Sequence, residues 1–231
     1  MEERYYEWMA AAYLRGAAAA KDILVPDETA ALFAGKWEEM TGEDVKKLLL
    51  AGQSLGIRLH YFKRSSGELP RVKRTLGILR GLSFQSLLDV GSGRGVFLIP
   101  FLEAFPGIRT LSLDLLPGRA EFLQTLSAGG ISDLTAIQGD ICKEEIPENA
   151  FDIVTLLEVL EHIPNAELAV KRAVEIAAKY VIVSVPSKPD DNPEHIHLLT
   201  KPVLMKMFTE AGCKKLHFDG VNGHLILLAA V

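Results

Sequence analysis

The segment LLDVGSGRG, residues 87–95, decides the fold of this 231-residue chain. An apolar strand runs through Asp89 into three glycines at alternate positions, Gly91, Gly93 and Gly95. Glycine tolerates positive φ and has no Cβ, so a turn of this kind lets backbone N–H groups approach a ligand closely. The apolar run VFLIPFLEAF then predicts a helix over residues 96–105. The segment therefore predicts a ligand-binding loop at the end of a buried strand.

Two classes of nucleotide-binding fold use a glycine loop after a strand. Dinucleotide-binding domains have the spacing G-x-G-x-x-G, with the third glycine where the helix packs on the strand. Val96 occupies that third position here. Asp89 stands two residues before the first glycine, where a carboxylate can accept hydrogen bonds from the loop and from a ligand's ammonium group. The loop resembles the first motif of the class I S-adenosylmethionine-dependent methyltransferases, an acidic residue followed by x-G-x-G-x-G.

Apolar and amphipathic segments alternate from about residue 85 onward. Strands are predicted at LLDV and at residues 110–115, 134–140, 151–159 and 180–186, with helices at 96–105, 118–128, 166–178 and 201–211. This is a βαβ series, and its near-continuous apolar strands indicate a parallel sheet buried on both faces. The sequence VNG between CKKLHFDG and HLILLAAV predicts a final hairpin. Together with the resemblance, this predicts an α/β fold with a doubly wound, mostly parallel seven-stranded sheet, Rossmann-like, with an antiparallel last strand.

The N-terminal part of the chain shows no strand alternation. Its helical segments are expected to be interrupted at Gly16, Pro26, Gly35, Gly42, Gly52 and Gly56. We divide the chain into an N-terminal helical cap, residues 1–82, and a methyltransferase domain, residues 83–231, the part that the resemblance covers. In similar enzymes such a cap closes over the substrate. It could equally cover one sheet face or form a homodimer contact.

Composition places the chain among globular proteins, with 48% hydrophobic and 24% charged residues. The start MEERYYEWM does not resemble a signal peptide, and no apolar run reaches membrane-spanning length. Cys142 and Cys213 lack metal-type spacing, so reduced thiols and a cytoplasmic location are expected. No membrane partner is expected.

The net charge of −5 divides unevenly, with about +2 in residues 1–80 and about −7 in the remainder. Neither value favours nucleic-acid binding. One basic cluster faces only Glu68 across its window; its members are Arg58, Lys63, Arg64, Arg71, Lys73, Arg74 and Arg80. This cluster could hold phosphate or could be a solvated helix face.

The resemblance implies S-adenosylmethionine as cofactor and assigns contacts at successive strand ends. Ligands of such sheets bind at the carboxyl ends of the strands. Asp114 matches the residue that binds the ribose hydroxyls, and Leu115 would lie against the adenine ring. Asp140 matches the position that meets the adenine amino group, and Ile141 would cover the ring's other side. The glycine loop with Asp89 would hold the methionine part.

The predicted fourth strand leads into LLEVLEHIPNAE, residues 156–167, the segment that the resemblance places beside the transferred methyl group. Glu158 or Glu161 would face the cofactor, and His162 the substrate. His162 could act as general base or could be a structural histidine. The loop VPSKPDDNPEHIHLLT is expected to be the substrate gate, with His195 and His197 on the same side and Thr200 as N-cap of the next helix.

A metal-dependent alternative follows from the order E-x-x-E-H. Glu158, Glu161 and His162 with a later histidine resemble the metal site of small-RNA 3′-terminal 2′-O-methyltransferases, and such ligands suit a manganese-like ion. Similar segments also occur in metal-free small-molecule methyltransferases, which our main interpretation follows, with no metal ligand assigned.

The acceptor class is narrowed by two absences from the sequence. No N/D-P-P-Y/F/W segment follows the fourth strand, which disfavours methylation of adenine, cytosine or glutamine nitrogen. No cysteine lies near that strand end, which disfavours thiolate-based cytosine C5 chemistry. The sequence therefore predicts a methyltransferase acting on oxygen or carbon of a small molecule. A non-catalytic module that binds S-adenosylmethionine is the second alternative.

Overall fold

A computed structural model describes residues 5–189 and 191–231 of the chain. Its centre is one seven-stranded sheet in the order β3-β2-β1-β4-β5-β7-β6. The strands are β1 Ser86–Val90, β2 Arg109–Asp114, β3 Leu134–Gln138, β4 Phe151–Leu157, β5 Ala177–Pro186, β6 Lys215–Val221 and β7 His224–Ala230. The predicted Rossmann-like sheet with an antiparallel end is confirmed.

Helices cover the sheet and account for most of the N-terminal part. They are α1 Glu7–Ala20, α2 Asp27–Ala34, α3 Gly42–Ser54, α4 Pro70–Arg80, α5 Leu98–Ala104, α6 Pro117–Ala128, α7 Ala166–Ile176 and α8 Lys201–Glu210. Short 3₁₀ turns lie at Trp37–Glu39, His60–Phe62, Arg64–Ser66 and Leu160–His162. Each helix predicted from residue 96 onward is present, with ends shifted by no more than two residues.

The first five strands run parallel, so their carboxyl ends meet at one edge of the sheet. Every residue of β1 is buried, as expected for a central strand covered on both faces. β1 lies between β2 and β4, with Asp89 in register with Ser112 and Thr155. The loops after these strands therefore lie along one edge of the sheet, which we call the cofactor edge.

The last two strands form the predicted hairpin. Asn222 and Gly223 occupy its turn with φ of +40° and +86°, the left-handed values that a tight two-residue hairpin turn requires. Because β7 is antiparallel to β5, its first residue His224 pairs with Pro186, the last residue of β5. His224 therefore lies at the cofactor edge.

The N-terminal helices share the core of the sheet domain. Helix α1 packs so closely on α6 that a Cβ on Gly16 would lie 1.9 Å from the Thr125 carbonyl oxygen, and one on Gly129 would lie 1.6 Å from that of Ala12. Such contact is possible only between residues without side chains. The expectation that Gly16 and Gly52 interrupt helices was wrong, because both lie inside helices at sites of close packing.

Several cations of the predicted basic cluster are engaged in ion pairs. Arg64 contacts Glu103 at 2.6 Å, Lys73 pairs with Glu68, and Arg74 pairs with Asp219 of β6. These pairs reduce the charge that could be offered to phosphate. Among the described helices, none has the length and apolar character needed to cross a membrane.

Candidate functional site

The glycine loop after β1 has the backbone that its sequence predicts. Gly91, Gly93 and Gly95 have φ of +68°, +57° and +73°. A Cβ on Gly91 would lie 2.6 Å from Val159, and one on Gly95 would lie 2.8 Å from Ile99, so both glycines are needed for packing. A Cβ on Gly93 would meet only the Gly91 carbonyl oxygen, at 3.9 Å. The backbone at Gly93 is therefore open to a ligand.

Asp89 is a buried carboxylate at the base of this loop, with 3% of its surface exposed. Its Oδ1 accepts a hydrogen bond of 2.6 Å from the Thr155 hydroxyl. Burial raises the pKa of Asp89 to about 6, although hydrogen bonds from Thr155 and Ser92 oppose the rise. A cationic ligand group beside Asp89 would favour its ionised form.

Asp114 joins the loops after β1 and β2. Its Oδ2 accepts a hydrogen bond from the Gly93 N–H at 2.8 Å, and its Oδ1 accepts one from the Leu116 N–H at 2.9 Å. Each oxygen keeps further lone pairs for a ligand hydroxyl. Leu115 lies between Asp114 and Leu116 in the chain. Its side chain is 62% exposed and is therefore accessible to a flat ligand.

Asp140 follows β3 at the same edge of the sheet. It accepts a hydrogen bond from the Cys142 N–H at 2.9 Å and pairs with Lys143 at 3.2 Å. The backbone bond from Cys142 is the main cause that lowers the pKa of Asp140. Ile141 differs from its neighbours because it is buried in the core against the sheet, with 3% exposure.

A cavity of about 170 Å³ opens between the glycine loop after β1, the end of β4 and helix α4. Acidic groups from Asp89 and Glu158 line it, and Arg71 and Thr75 of α4 face them. The volume is below the roughly 300 Å³ of small-molecule pockets, so it fits one part of a ligand. With Arg94 of the glycine loop as a second cation, the cavity presents both charge signs, as the binding of an amino-acid zwitterion requires.

Glu158 directly follows β4 and has a left-handed backbone, with φ of +60°. Such a conformation is uncommon outside glycine and often marks a functional residue. The Ser184 hydroxyl donates a 2.6 Å hydrogen bond to Glu158 Oε1. His224 Nδ1 lies 2.9 Å from Oε2, in a geometry that does not align an N–H for a hydrogen bond. Glu158 is therefore held from β5 and from β7.

The three histidines predicted near the substrate lie around the turn after β4. His162 Nδ1 lies 2.9 Å from the Glu194 carbonyl oxygen, and His197 Nε2 lies 3.0 Å from that of Ile163. A carbonyl only accepts, so each of these ring nitrogens carries the proton. The ring centroids of His162 and His195 are 4.8 Å apart. Thr200 caps α8 by position but makes no side-chain cap bond.

Two residues of this region were missed by the sequence analysis. Arg71 was counted only within the basic cluster, because the face of α4 that meets the cavity depends on how the helix packs. His224 was left unassigned, because an antiparallel strand begins where its parallel neighbours end. The predicted hairpin, combined with pairing of β7 on β5, could have placed His224 at this edge.

Comparisons with known proteins agree with the predicted methyltransferase family and fold. Residues 88–180 match the family model described as "Methyltransferase domain". A ubiquinone biosynthesis O-methyltransferase from Pseudomonas paraeruginosa is 32% identical over 85 residues, 37% of this chain and 36% of that protein. The similarity thus spans little more than a third of this curated relative.

Solved structures share the fold at low sequence identity. A SAM-dependent methyltransferase from Aquifex aeolicus has a TM-score of 0.57 and 16% identity, covering 72% of this chain and 92% of its own. A candidate O-methyltransferase from Nostoc punctiforme has a TM-score of 0.60 and 15% identity, covering 96% of this chain and 72% of its own. The second likeness extends over the N-terminal helices.

Proposed function

We propose that this chain, whose sheet domain belongs to the class I S-adenosylmethionine-dependent methyltransferases, transfers a methyl group from that cofactor to a small-molecule acceptor. The observation that carries the proposal is the cavity in which buried Asp89 lies beside an open glycine loop. A carboxylate whose pKa is raised to about 6 by burial is suited to a cationic ligand.

The residues of the cofactor edge fit the parts of S-adenosylmethionine. Asp89 would accept from its ammonium group, and Arg71 would bind its carboxylate. Asp114 would bind the ribose diol. Leu115 and Asp140 would contact the adenine, while the burial of Ile141 reduces the surface that it can offer. The sulfonium supplies an electrophilic methyl group, so the protein's task is mainly to align the acceptor.

We assign removal of the acceptor proton to His224, with Glu158 as its positioning residue. His224 Nδ1 lies 2.9 Å from Glu158 Oε2, so a rotation of the imidazole would align its N–H with the carboxylate and leave the Nε2 lone pair free to take a proton from a hydroxyl group. A carboxylate at this position also stabilises the imidazolium that forms. His162, the base predicted from sequence, has a backbone carbonyl as the partner of its Nδ1 and no carboxylate to stabilise an imidazolium, so we assign it to contact with the acceptor.

His224→Asn tests this assignment. We expect kcat to fall by roughly 10²-fold or more, because a positioned general base contributes about that much. The dissociation constant of S-adenosylmethionine should stay within about twofold, since His224 is assigned no cofactor contact. His217→Asn, at an exposed histidine of β6, is the matched control. If His162→Asn abolishes turnover and His224→Asn does not, the base is His162.

The acceptor is proposed to be a small molecule methylated on oxygen or carbon. The O-methyltransferase relative supports oxygen chemistry, and the ion pairs of Arg64, Lys73 and Arg74 argue against an RNA acceptor. A regulatory module that binds the cofactor without turnover is the competing proposal.

Three further proposals concern the whole protein. Residues 1–82 act as a cap, because α4 brings Arg71 to the cavity. The described cysteines are both free thiols, which supports a cytoplasmic location. A homodimer through the cap remains a prediction, which light scattering would test.

Cofactor binding is the most direct test of the proposed fit. Titration calorimetry with S-adenosylmethionine should give one site per chain, and Asp114→Ala should weaken it by about 1.5 to 3 kcal/mol, the contribution of a charge-assisted hydrogen bond. Unchanged affinity in Asp114→Ala would remove Asp114 from the site. No binding by the unmodified chain would contradict the proposed function.

A further inference from the structure

A second cavity, of about 520 Å³, lies at the edge of the sheet opposite the cofactor edge. Its wall includes Ile108 and Asp133, which directly precede β2 and β3, so it lies at the amino ends of these parallel strands. The length of β2 separates it from the cofactor edge by about 20 Å. Its volume falls within the roughly 300 to 1,000 Å³ of small-molecule pockets. The cavity is therefore a candidate ligand site that the proposed methyl transfer does not use.

Both tryptophans of the chain line this cavity. Trp8 belongs to α1 and is 38% exposed, and Trp37 begins a 3₁₀ turn. Their ring centroids are 5.6 Å apart and their planes meet at 88°. The Trp37 ring packs against Gly130, where a Cβ would lie 2.3 Å from it. Two perpendicular rings form a corner in which a ligand can contact aromatic surface from two directions, and aromatic surfaces of this kind bind quaternary ammonium groups.

The charged side chains that line the cavity are all acidic. Glu38, Glu103 and Asp133 belong to its wall, and in the described part of the chain no Lys, Arg or His does. Glu103 Oε1 pairs with Arg64 at 2.6 Å, whereas Oε2 is buried and has no hydrogen-bond partner among the described residues. An unpaired buried carboxylate oxygen is unfavourable, and a ligand cation beside it would offset that cost. The wall therefore favours a positively charged ligand.

Two arginines approach the cavity from outside its wall, and both have partners of their own. Arg64 is bound to Glu103. Arg15 lies 5.5 Å from the centre of the Trp37 ring and donates a 3.1 Å hydrogen bond to the Phe33 carbonyl oxygen. Three carboxylates thus stand against two arginines, neither of which lines the cavity. An excess of negative charge remains for a ligand.

We propose that this cavity binds a small organic cation, an alkylated ammonium group attached to an apolar body. The ammonium group would lie between the tryptophans and the carboxylates, with the apolar body against Leu102, Phe105 and Ile131. Such a ligand would bridge the N-terminal helices, which supply Trp8 and Trp37, and the sheet domain, which supplies most of the remaining wall. Binding should therefore stabilise the folded chain.

Tryptophan fluorescence reports on this cavity directly, because the chain has no tryptophan elsewhere. The intact chain is titrated at constant ionic strength with benzyltrimethylammonium, and separately with benzyl alcohol and phenylacetate, which are neutral and anionic compounds with the same benzyl body. We expect a saturable change with the cation and at least about tenfold weaker binding of the other two, because cation–π contacts and the carboxylates favour only the cation. The change should persist in excess S-adenosylhomocysteine, since the cofactor edge is a different site.

Two variants test the aromatic and the acidic parts of the wall separately. Trp8→Ala leaves Trp37 as the fluorescent reporter, and Glu103→Gln keeps an oxygen for Arg64. Each should weaken binding of benzyltrimethylammonium by at least about threefold, the lower range for a cation–π contact or an ion pair. Glu210→Gln, an exposed change on α8, is the matched control and should bind as the unmodified chain does.

Thermal unfolding supplies a readout that does not depend on a variant. Benzyltrimethylammonium should raise the unfolding midpoint of the unmodified chain, and phenylacetate should not. The proposal would be overturned by absence of a saturable change, by equal affinity for the three compounds, by unweakened binding in both variants, by an unchanged midpoint, or by loss of the signal in S-adenosylhomocysteine. Because S-adenosylmethionine binding is measured separately, failure of this cavity leaves the proposed methyl transfer standing, and the reverse also holds.

Discussion

At the residue scale, Asp89 shows how function conflicts with stability. Its carboxylate is buried beside the cleft, and burial raises its pKa to about 6 from an ordinary value of 3.8. In this range the folded protein binds a proton that the unfolded chain has released, so stability falls as pH rises from about 4 to about 6. Above pH 6 the ligand-free protein keeps the full cost of a buried charge.

Asp89→Asn should therefore stabilise the ligand-free protein above pH 6 and have little effect on its stability near pH 4. The amide keeps an oxygen that can accept from Thr155 but carries no charge to desolvate. S-adenosylmethionine should bind at least about tenfold more weakly, because a charge-assisted bond contributes about 1.5 to 3 kcal/mol. Thermal unfolding at pH 4 and pH 8 measures the first effect. An equal shift at both pH values would contradict the role of burial.

At the element scale, α4 links the N-terminal part to the cofactor edge. Val72 and Thr75 are buried at the cavity, and Arg74 on the same helix pairs with Asp219 of β6. These contacts fix the orientation from which Arg71 reaches the cavity. A helix outside the sheet thereby supplies one of the groups that would bind the cofactor.

Arg71→Ala should weaken binding of S-adenosylhomocysteine by about tenfold or more and leave 5′-methylthioadenosine unaffected. The first ligand has the carboxylate that Arg71 would bind, and the second lacks it, so the difference isolates one interaction. Lys73→Ala, an exposed change on the same helix, is the matched control. Equal losses for both ligands would indicate that Arg71 shapes the cavity without binding the carboxylate.

The contact of α1 with α6 gives a second prediction at this scale. Gly129→Ala should lower the free energy of unfolding by about 1 to 3 kcal/mol, because the new methyl group meets the backbone of Ala12, which cannot move aside alone. Gly118→Ala, at the open end of α6, should change it by less than about 1 kcal/mol. Urea denaturation of both variants measures the difference. Similar effects would show that α1 can separate from α6 at little cost.

Particular elements show what the sequence could predict. Asp114 and Asp140 were placed at one edge because parallel strands end together, and the glycine loop was predicted from residue types alone. Gly16 and Gly52 were misread because a glycine's effect in a helix depends on the neighbouring helix. Arg71 and His224 required knowledge of packing and of strand pairing. The roles that depend on tertiary contacts were therefore the ones that sequence patterns could not predict.

At the scale of the whole molecule, one sheet edge combines three groups of residues. The glycine loop with Asp89 and Asp114 lies on one side, the Glu158 and His224 pair on the other, and the neighbouring side chains of Glu161, His162 and His195 beyond the end of β4. The curated relative resembles only about a third of the chain, so the acceptor side has to be established for this protein itself.

The central claim is methyl transfer to a small-molecule acceptor, and it is tested by incubating the purified protein with methyl-labelled S-adenosylmethionine and a host-cell extract. Small-molecule, lipid, protein and RNA fractions are then counted, with and without Mn²⁺, beside an Asp89→Asn control. The account predicts protein-dependent label in the small-molecule or lipid fraction that is lost in the control. Label confined to RNA, or none in any fraction from a chain that binds the cofactor, would contradict it.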